Sequence, residues 1–227
     1  MKKFLLPLLC LLLGPVCARA DMVITETMDG GAGQAQTLTV KIKGDKVRTD
    51  VGEQMSTIMD TVSGDTITLI HAQKSYMKLS SAKTKALMEQ MKKMQGQTTP
   101  DVPAAKPKFV DTGKSEKVNN YNAEIYTAEM PTMKLTFWVT KEFPNYAAVT
   151  AAMKKLQNSV LSKLGPDANG APDTSDLPGL PIKTQIVNDG QTITITIVSA
   201  KDQPVDDADM GPPAGYTEMA LPEMPKN

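Results

Sequence analysis

The chain has 227 residues, and its 25 Lys and Arg are balanced by 25 Asp and Glu. That balance excludes the basic footprint of a nucleic-acid binder. Two cysteines and one histidine leave little material for thiol chemistry or for an activated nucleophile.

The first twenty residues read as a secretory signal. Lys2 and Lys3 supply the positive end, and residues 4–16 form an apolar run broken by Pro7 and Gly14. Ala18-Arg19-Ala20 then gives small residues at the positions that predict cleavage before Asp21. The run is too short to span a bilayer, which takes about 20 residues. Cys17 raises the alternative of a lipid anchor, but Pro15 and Val16 precede it where a small residue is wanted. An uncleaved membrane anchor is the third alternative. Plain cleavage after Ala20 predicts a periplasmic or secreted protein with no transmembrane span.

Cys10 and Cys17 both lie inside the signal, so the mature chain holds no disulfide and its core must suffice by itself. Losing Lys2, Lys3 and Arg19 leaves an acidic excess of about three, with Arg48 the remaining arginine. Phosphate recognition favours arginine, so this composition argues against it.

Period two dominates the next segment. In residues 36–43, Leu38, Val40 and Ile42 share one face, while Thr37, Thr39, Lys41 and Lys43 point the other way. That is the mark of a half-buried antiparallel strand. Gly30-Gly31-Ala32-Gly33 lacks a following helix and lysine, so it reads as a hairpin tip and not a phosphate loop. Gly44-Asp45 turns the chain into a strand over residues 46–51. Residues 54–60, 66–71 and 75–79 follow as strands, with Ser63-Gly64-Asp65 as a turn. His71 sits at a strand end, the ordinary place for a hydrogen-bonded or exposed side chain.

A helix is predicted over residues 81–95, with a serine cap and Gly96 as its stop. Leu87, Met91 and Met94 share its apolar face. Residues 97–108, with three prolines, read as a loop. Strands at 123–129 and 133–140 follow, the second placing Met133, Leu135, Phe137 and Val139 on one face. Trp138 falls on the other, with Thr136 and Thr140, where it lies under a helix or marks a binding surface. A second one-faced helix spans residues 146–164. Residues 165–181 are irregular. Strands at 182–187 and 191–199 flank Asn188-Asp189-Gly190, whose Asp-Gly pair suits the positive φ angles of a tight hairpin. The proline-rich acidic stretch after residue 200 reads as loop or tail.

These elements predict a mainly β (α+β) fold: a curved antiparallel sheet, or incomplete barrel, of about 10–11 strands covered by two amphipathic helices. The expected organisation is a signal at 1–20, one β-rich half-barrel domain at 21–200, and a C-terminal segment at 201–227 that is partly ordered at most.

Short motifs carry a resemblance. They are Gly44-Asp45-Lys46-Val47-Arg48 after a strand, Thr57-Ile58-Met59-Asp60, Lys74-Ser75-Tyr76-Met77, Ala123-Glu124-Ile125-Tyr126, Phe137-Trp138-Val139-Thr140, the run from Leu177 to Lys183, and Pro213-Ala214-Gly215-Tyr216. In this order they resemble a family of exported bacterial proteins built on a domain of unknown function. That family in turn resembles the lipoprotein-carrier superfamily of LolA and LolB. The resemblance implies a half-barrel whose concavity cradles acyl chains or lipids. It also implies that Arg48 falls where the carrier has an arginine that holds its lid.

No Gly-x-Ser-x-Gly, His-Glu-x-x-His or phosphate loop is present, so a non-enzyme without cofactor is expected. Met88, Met91 and Met94 have a spacing used for Cu(I), a soft ion that suits thioethers. On a helix, however, Met88 and Met94 stand about 120° apart, so three sulfurs do not converge. Asp206-Asp207-Ala208-Asp209 lacks the spacing and glycine of a calcium loop. All methionines but Met1 survive cleavage, and such pliable side chains suit a surface that repacks around variable apolar ligands. The leading expectation is therefore an envelope protein that binds a lipid, an acyl chain or a lipidated partner. The candidate ligand-binding residues are Val40, Ile42, Ile67, Leu69, Leu135, Phe137, Ile193 and Ile195, with Leu87, Met91 and Met94 as a lid and Arg48 as a lid contact. The alternatives are an envelope structural or interaction module with a packed interior and, behind it, methionine-based Cu(I) binding.

Overall fold

A computed structural model describes residues 21–30, 35–94, 108–130, 133–154 and 174–220. The signal and most of the second helix lie outside the described residues. No described helix is long and apolar enough to cross a membrane.

Twelve strands form one open, curved, mixed sheet. In chain order they are β1 (Met22–Gly30), β2 (Gln36–Lys43), β3 (Lys46–Val51), β4 (Met55–Asp60), β5 (Thr66–Ile70), β6 (Ser75–Leu79), β7 (Val110–Val118), β8 (Tyr121–Met130), β9 (Met133–Thr140), β10 (Leu180–Asn188), β11 (Gln191–Asp202) and β12 (Thr217–Glu218). Their spatial order is β12-β6-β5-β4-β3-β2-β1-β11-β10-β9-β8-β7. All pairs are antiparallel except β12 on β6, which is parallel. The expected count of 10–11 falls short because β1, β7 and β12 carry little apolar alternation.

Turn chemistry holds the hairpins. Asp189 and Gly190 take φ of 47° and 78° between β10 and β11, the two positive angles that the Asp-Gly pair promised. Asn119 and Asn120 do the same between β7 and β8, at 48° and 74°. Register shifts interrupt β1–β11, β9–β10 and β7–β8, and such bulges bend a strand and deepen its twist. The curl is large. Asn119 Nδ2 donates to Ile197 O on β11, although β8, β9 and β10 lie between β7 and β11 in the sheet.

Two helices join the strands. The first, α1 (Ser81–Met94), starts where Ser80 Oγ accepts from the Lys83 amide, while Asp65 accepts from the Ser81 amide. The second, α2, is helical over residues 146–154 within the described chain. Only α2 contributes to the core: Val149 is fully buried in a cluster with Ile24, Val40, Trp138, Ile182 and Ile197. No side chain described on α1 is buried. The expectation that both helices roof the sheet thus meets the structure at α2 alone.

A second cluster gathers Ala128, Leu135, Phe137, Val139 and Leu177. Strand β9 therefore buries both sides, Phe137 in one cluster and Trp138 in the other. On the Trp138 side, the indole Nε1–H donates to Glu116 at 2.7 Å and Lys183 Nζ stands 4.1 Å over the ring. Phe137 is 2% exposed and meets the edge of Phe109. Truncating it (Phe137→Ala) is expected to lower unfolding free energy by about 3–5 kcal/mol. Urea titration followed by circular dichroism measures this, and a loss below about 1 kcal/mol would contradict the packing described.

Candidate functional site

Register assigns every strand residue to a side of the sheet. Ile42, Val40 and Leu38 on β2 stand opposite Met22, Ile24 and Glu26 on β1, and opposite Val47, Thr49 and Val51 on β3. The same side continues through Met55, Thr57 and Met59 to Ile70, Thr68 and Thr66. In the other direction it passes to Ile195 and Ile193 on β11; beyond the register shift between Pro181 and Lys183, Trp138 joins the Val40 cluster, while Phe137 and Leu135 belong to the second cluster. This is the Val40 face. Lys41, Arg48, Asp50, Ser56, Ile58, Ile67 and Leu69 occupy the opposite, Arg48 face.

Of six expected ligand residues, Val40, Ile42, Ile193 and Ile195 share a face, while Leu135 and Phe137 pack in the second cluster. Ile67 and Leu69 do not join them. Strand β5 pairs Ile67 with Ile58 and Leu69 with Ser56, which turns both to the Arg48 side. Of the six, Val40, Leu135 and Phe137 are buried, while Ile42, Ile193 and Ile195 are half-buried. Leu87 is half-buried on α1, and the side chains of Met91 and Met94 lie outside the described residues.

The Arg48 face is closed by a segment that sequence reasoning left as a tail. Residues 203–218 run across it as a strap. Lys41 Nζ meets Asp209 at 2.9 Å, Lys43 Nζ donates to Val205 O, Lys46 Nζ to Met210 O, and Arg48 Nη1 to Asp209 O. Val205 and Met210 are buried beneath, with Leu69 at 0% and Ile58 at 3% exposure. The strap ends by pairing β12 with β6, pinned by a Lys78–Glu218 ion pair at 2.9 Å. That pair, with Tyr76 donating to the same carboxylate, holds Glu218 below the usual carboxylate range. Arg48 therefore contacts the strap, where Asp209 belongs to a short 3-10 turn (Asp207–Met210), and its hydrogen-bond partners Asp50, Ser56 and Asp209 include no described residue of α1 or α2. The lid-contact expectation for Arg48 is transferred from a helix to this C-terminal segment.

Under the strap lies a polar relay. Ser56, fully buried, places Oγ 2.7 Å from His71 Nε2, 2.5 Å from Asp50 Oδ1 and 3.0 Å from Arg48 Nη2. His71 Nδ1 lies 2.7 Å from the Tyr216 hydroxyl. The set superficially resembles a serine–histidine pair. Its hydrogen-bond accounting does something else. The Ser56 proton goes to Asp50, so the serine oxygen accepts from Arg48 and from His71 Nε2–H, leaving Nδ1 to accept from Tyr216. A histidine in that tautomer is a donor to the serine and no base for it. The relay is a clamp between sheet and strap. Removing its hub (Ser56→Ala) leaves the Asp50 and Arg48 groups short of a partner. The expected loss is about 1–3 kcal/mol, read as a lowered urea midpoint with unchanged far-ultraviolet circular dichroism.

On the Val40 face, Val40 and Val47 are buried with Val149 of α2. Leu38, Val51, Met59, Thr68, Ile70 and Leu79 are all half-buried, and Met55 is 40% exposed. Glu26 sits on this face between Leu38 and Ile197. Burial, with no charge or hydrogen bond opposing it, raises its pKa above the ordinary 4.5. A shallow polar cleft of about 310 Å³, lined by Ser115, Asn122, Glu124, Thr140, Glu142 and Gly179, lies elsewhere on β8 and β9. No group of three His, Cys, Asp or Glu able to hold a metal ion occurs among the described residues.

The model of the family described as DUF4412, a domain of unknown function, matches residues 20–216. The chain belongs to the DUF4412 family. The match runs through Tyr216, so the DUF4412 unit takes in most of the strap. No curated protein matches the sequence. Solved structures similar to this DUF4412 chain include PNGF-II, at 14% identity and a TM-score of 0.39 over 88% of this chain. The chain spans about a third of the length of PNGF-II (31%). The lipoprotein LppX of Mycobacterium tuberculosis matches at 8% identity and a TM-score of 0.39, covering 82% of this chain and 88% of its own. A LolA superfamily protein from Nitrosomonas europaea matches at 9% and 0.31, covering 84% and 89%.

The sign of the Glu26 effect on stability follows from its raised pKa. Folded Glu26 holds its proton more tightly than the unfolded chain does, so folding loses stability as pH rises from about 4.5 through the raised value. Glu26→Gln removes that loss. The variant is expected to match the parent in urea midpoint near pH 4 and to exceed it near pH 8. An equal gap at both pH values would mean that the carboxyl does not titrate under burial.

Proposed function

We propose that this DUF4412 protein is a non-enzymatic envelope protein that binds an apolar ligand on the Val40 face of its sheet. One observation carries the reading: the strap seals the lysine- and arginine-bearing side of β2–β6, while on the other side, beyond Val40 and Val47, the described apolar side chains are only half-buried or exposed. Exposed apolar area is costly, and a face that holds it in a broad patch is a candidate for a ligand. Its methionines, Met28, Met55, Met59 and Met77, are side chains that repack around ligands of variable shape. An alkyl chain burying about ten methylenes at about 0.8 kcal/mol each gains roughly 8 kcal/mol before ordering costs. That corresponds to about micromolar affinity, which suits a carrier that also releases its load. The ligand class is a lipid, an acyl chain or a lipidated protein. The signal-like N-terminus supports a periplasmic or secreted location.

A second reading, an envelope module with a packed interior, is favoured by the cluster of Leu135, Phe137 and Leu177, which is packed shut at the β8–β9 end of the sheet. Binding separates the two. The test is displacement of a fluorescent fatty acid, alongside native mass spectrometry of protein isolated from an envelope fraction. An adduct of lipid mass is expected. Ile195→Lys, on the half-buried part of the face, is expected to weaken probe binding by more than about tenfold, or about 1.4 kcal/mol. No probe binding and no adduct from the parent protein would remove the ligand reading and leave the packed module.

A further inference from the structure

One cross-strand row of the Val40 face has a composition unlike its neighbours. From β1 to β6 it runs Glu26, Leu38, Val51, Met55, Ile70 and Ser75, each paired in register with the next. Four apolar side chains lie between a carboxyl and a hydroxyl. Five strand spacings of about 4.8 Å make the row about 24 Å long, the scale of a long alkyl chain. Both polar ends lack partners. Ser75 Oγ is buried without a hydrogen bond. Among the described residues no hydrogen bond or ion pair reaches the Glu26 carboxyl.

The surroundings of Glu26 sharpen the point. Across the strands it meets Leu38 and Ile197, and along β1 it is flanked on the same face by Ile24 and Met28. The row on one side continues through Ala200, Val40, Thr49, Thr57, Thr68 and Met77. The row on the other side holds Ile195 and Gln36. No charged side chain occupies this face in any of the three rows. An acid held in such a field has a standing deficit of electrostatic partner, and buried polar groups without partners call for a specific explanation.

Building on the apolar-ligand reading, we infer that the row is a track for a linear amphiphile with a protonated amine at its polar end, seated on Glu26, and an alkyl chain laid over Leu38, Val51, Met55 and Ile70. Charge complementarity selects the amine. An ammonium supplies the counter-charge and the hydrogen-bond donors that a carboxylate accepts. A fatty carboxylate would set two like charges together. A neutral alcohol would supply one donor and no charge. The positive charge of an amine also favours the ionised form of Glu26, against the burial that raises its pKa.

The experiment compares dodecylamine, dodecanol and dodecanoate by isothermal titration calorimetry on the purified protein, at concentrations below micelle formation and near neutral pH. Dodecylamine is expected to bind at least about tenfold tighter than dodecanol, with dodecanoate the weakest. Glu26→Gln is expected to bring dodecylamine to the level of dodecanol and leave dodecanol unchanged. That variant removes a desolvated charge and should fold at least as well as the parent; thermal melting checks it, and the three-ligand ranking on the parent stands on its own if it does not. Equal affinity for amine and alcohol, or an amine preference that survives in Glu26→Gln, overturns the track while leaving an apolar site. Binding of none of the three overturns the apolar-ligand reading, and the track with it.

Discussion

The contact on which the architecture turns is the docking of the strap onto the basic side of β2 and β3. Lys41, Lys43, Lys46 and Arg48 are evenly spaced along two adjacent strands, and each finds a carboxylate or a backbone carbonyl between Val205 and Met210. Charged donors meeting carbonyls in partly buried places make stronger bonds than neutral pairs. They also satisfy the backbone of an irregular segment that would otherwise be costly to lay against a sheet. The relay from Tyr216 through His71 and Ser56 to Asp50 fastens the far end. The lone histidine of the chain and the one arginine described thus belong to a single clamp, and the strap beneath which they lie decides which side of the sheet remains available.

Much of this architecture is legible in the sequence because period two is a local signal. The bounds of β2, β3, β6 and β9 follow from alternation, and the β10–β11 turn follows from Asp189-Gly190. The strands that escape do so for identifiable reasons. In β1 the inward series is Met22, Ile24, Glu26 and Met28, and an acid in the third place breaks the apolar period. In β7 the edge position leaves Val110–Val118 mostly exposed and nearly devoid of apolar residues. β12 is two residues long and exists only through its pairing with β6.

Faces are less legible than strands. Alternation tells that Ile67 and Leu69 share a side of β5, but not which side of the sheet that is. The parity between β2 and β5 depends on the registers of three intervening pairs, and a one-residue slip in any of them exchanges the faces. The strap was hidden for a related reason. Lysines at every second position read as solvent-facing when only the strand is considered, and a proline-rich acidic segment reads as tail. That the two attract each other across about 160 residues of sequence is a tertiary fact. Arg48 and Asp209 are each ordinary alone; only the fold makes them a joint. Ile42, Val40, Ile193 and Ile195 were recoverable as one face because the registers of β1 with β2 and β11 keep them together, whereas the β9–β10 shift separates Leu135 and Phe137 from them.

Among the described residues the two faces are covered differently: α2 reaches Val40 and Val47 on one, and the strap crosses the other. Apolar burial is the dominant favourable term in folding, so a chain with one spare covering segment gains most by laying it on the more apolar face. Here the spare segment lies on the side that carries Lys41, Lys43, Lys46 and Arg48, where it must be held by polar bonds. The Val40 face of β2–β6 keeps Leu38, Val51, Ile70 and Leu79 half-buried, and it retains a desolvated carboxyl at Glu26 that burial penalises. The strap then has a second consequence. By tying β2, β3 and β6 together from behind, it holds the strands of the open face in register without occupying that face.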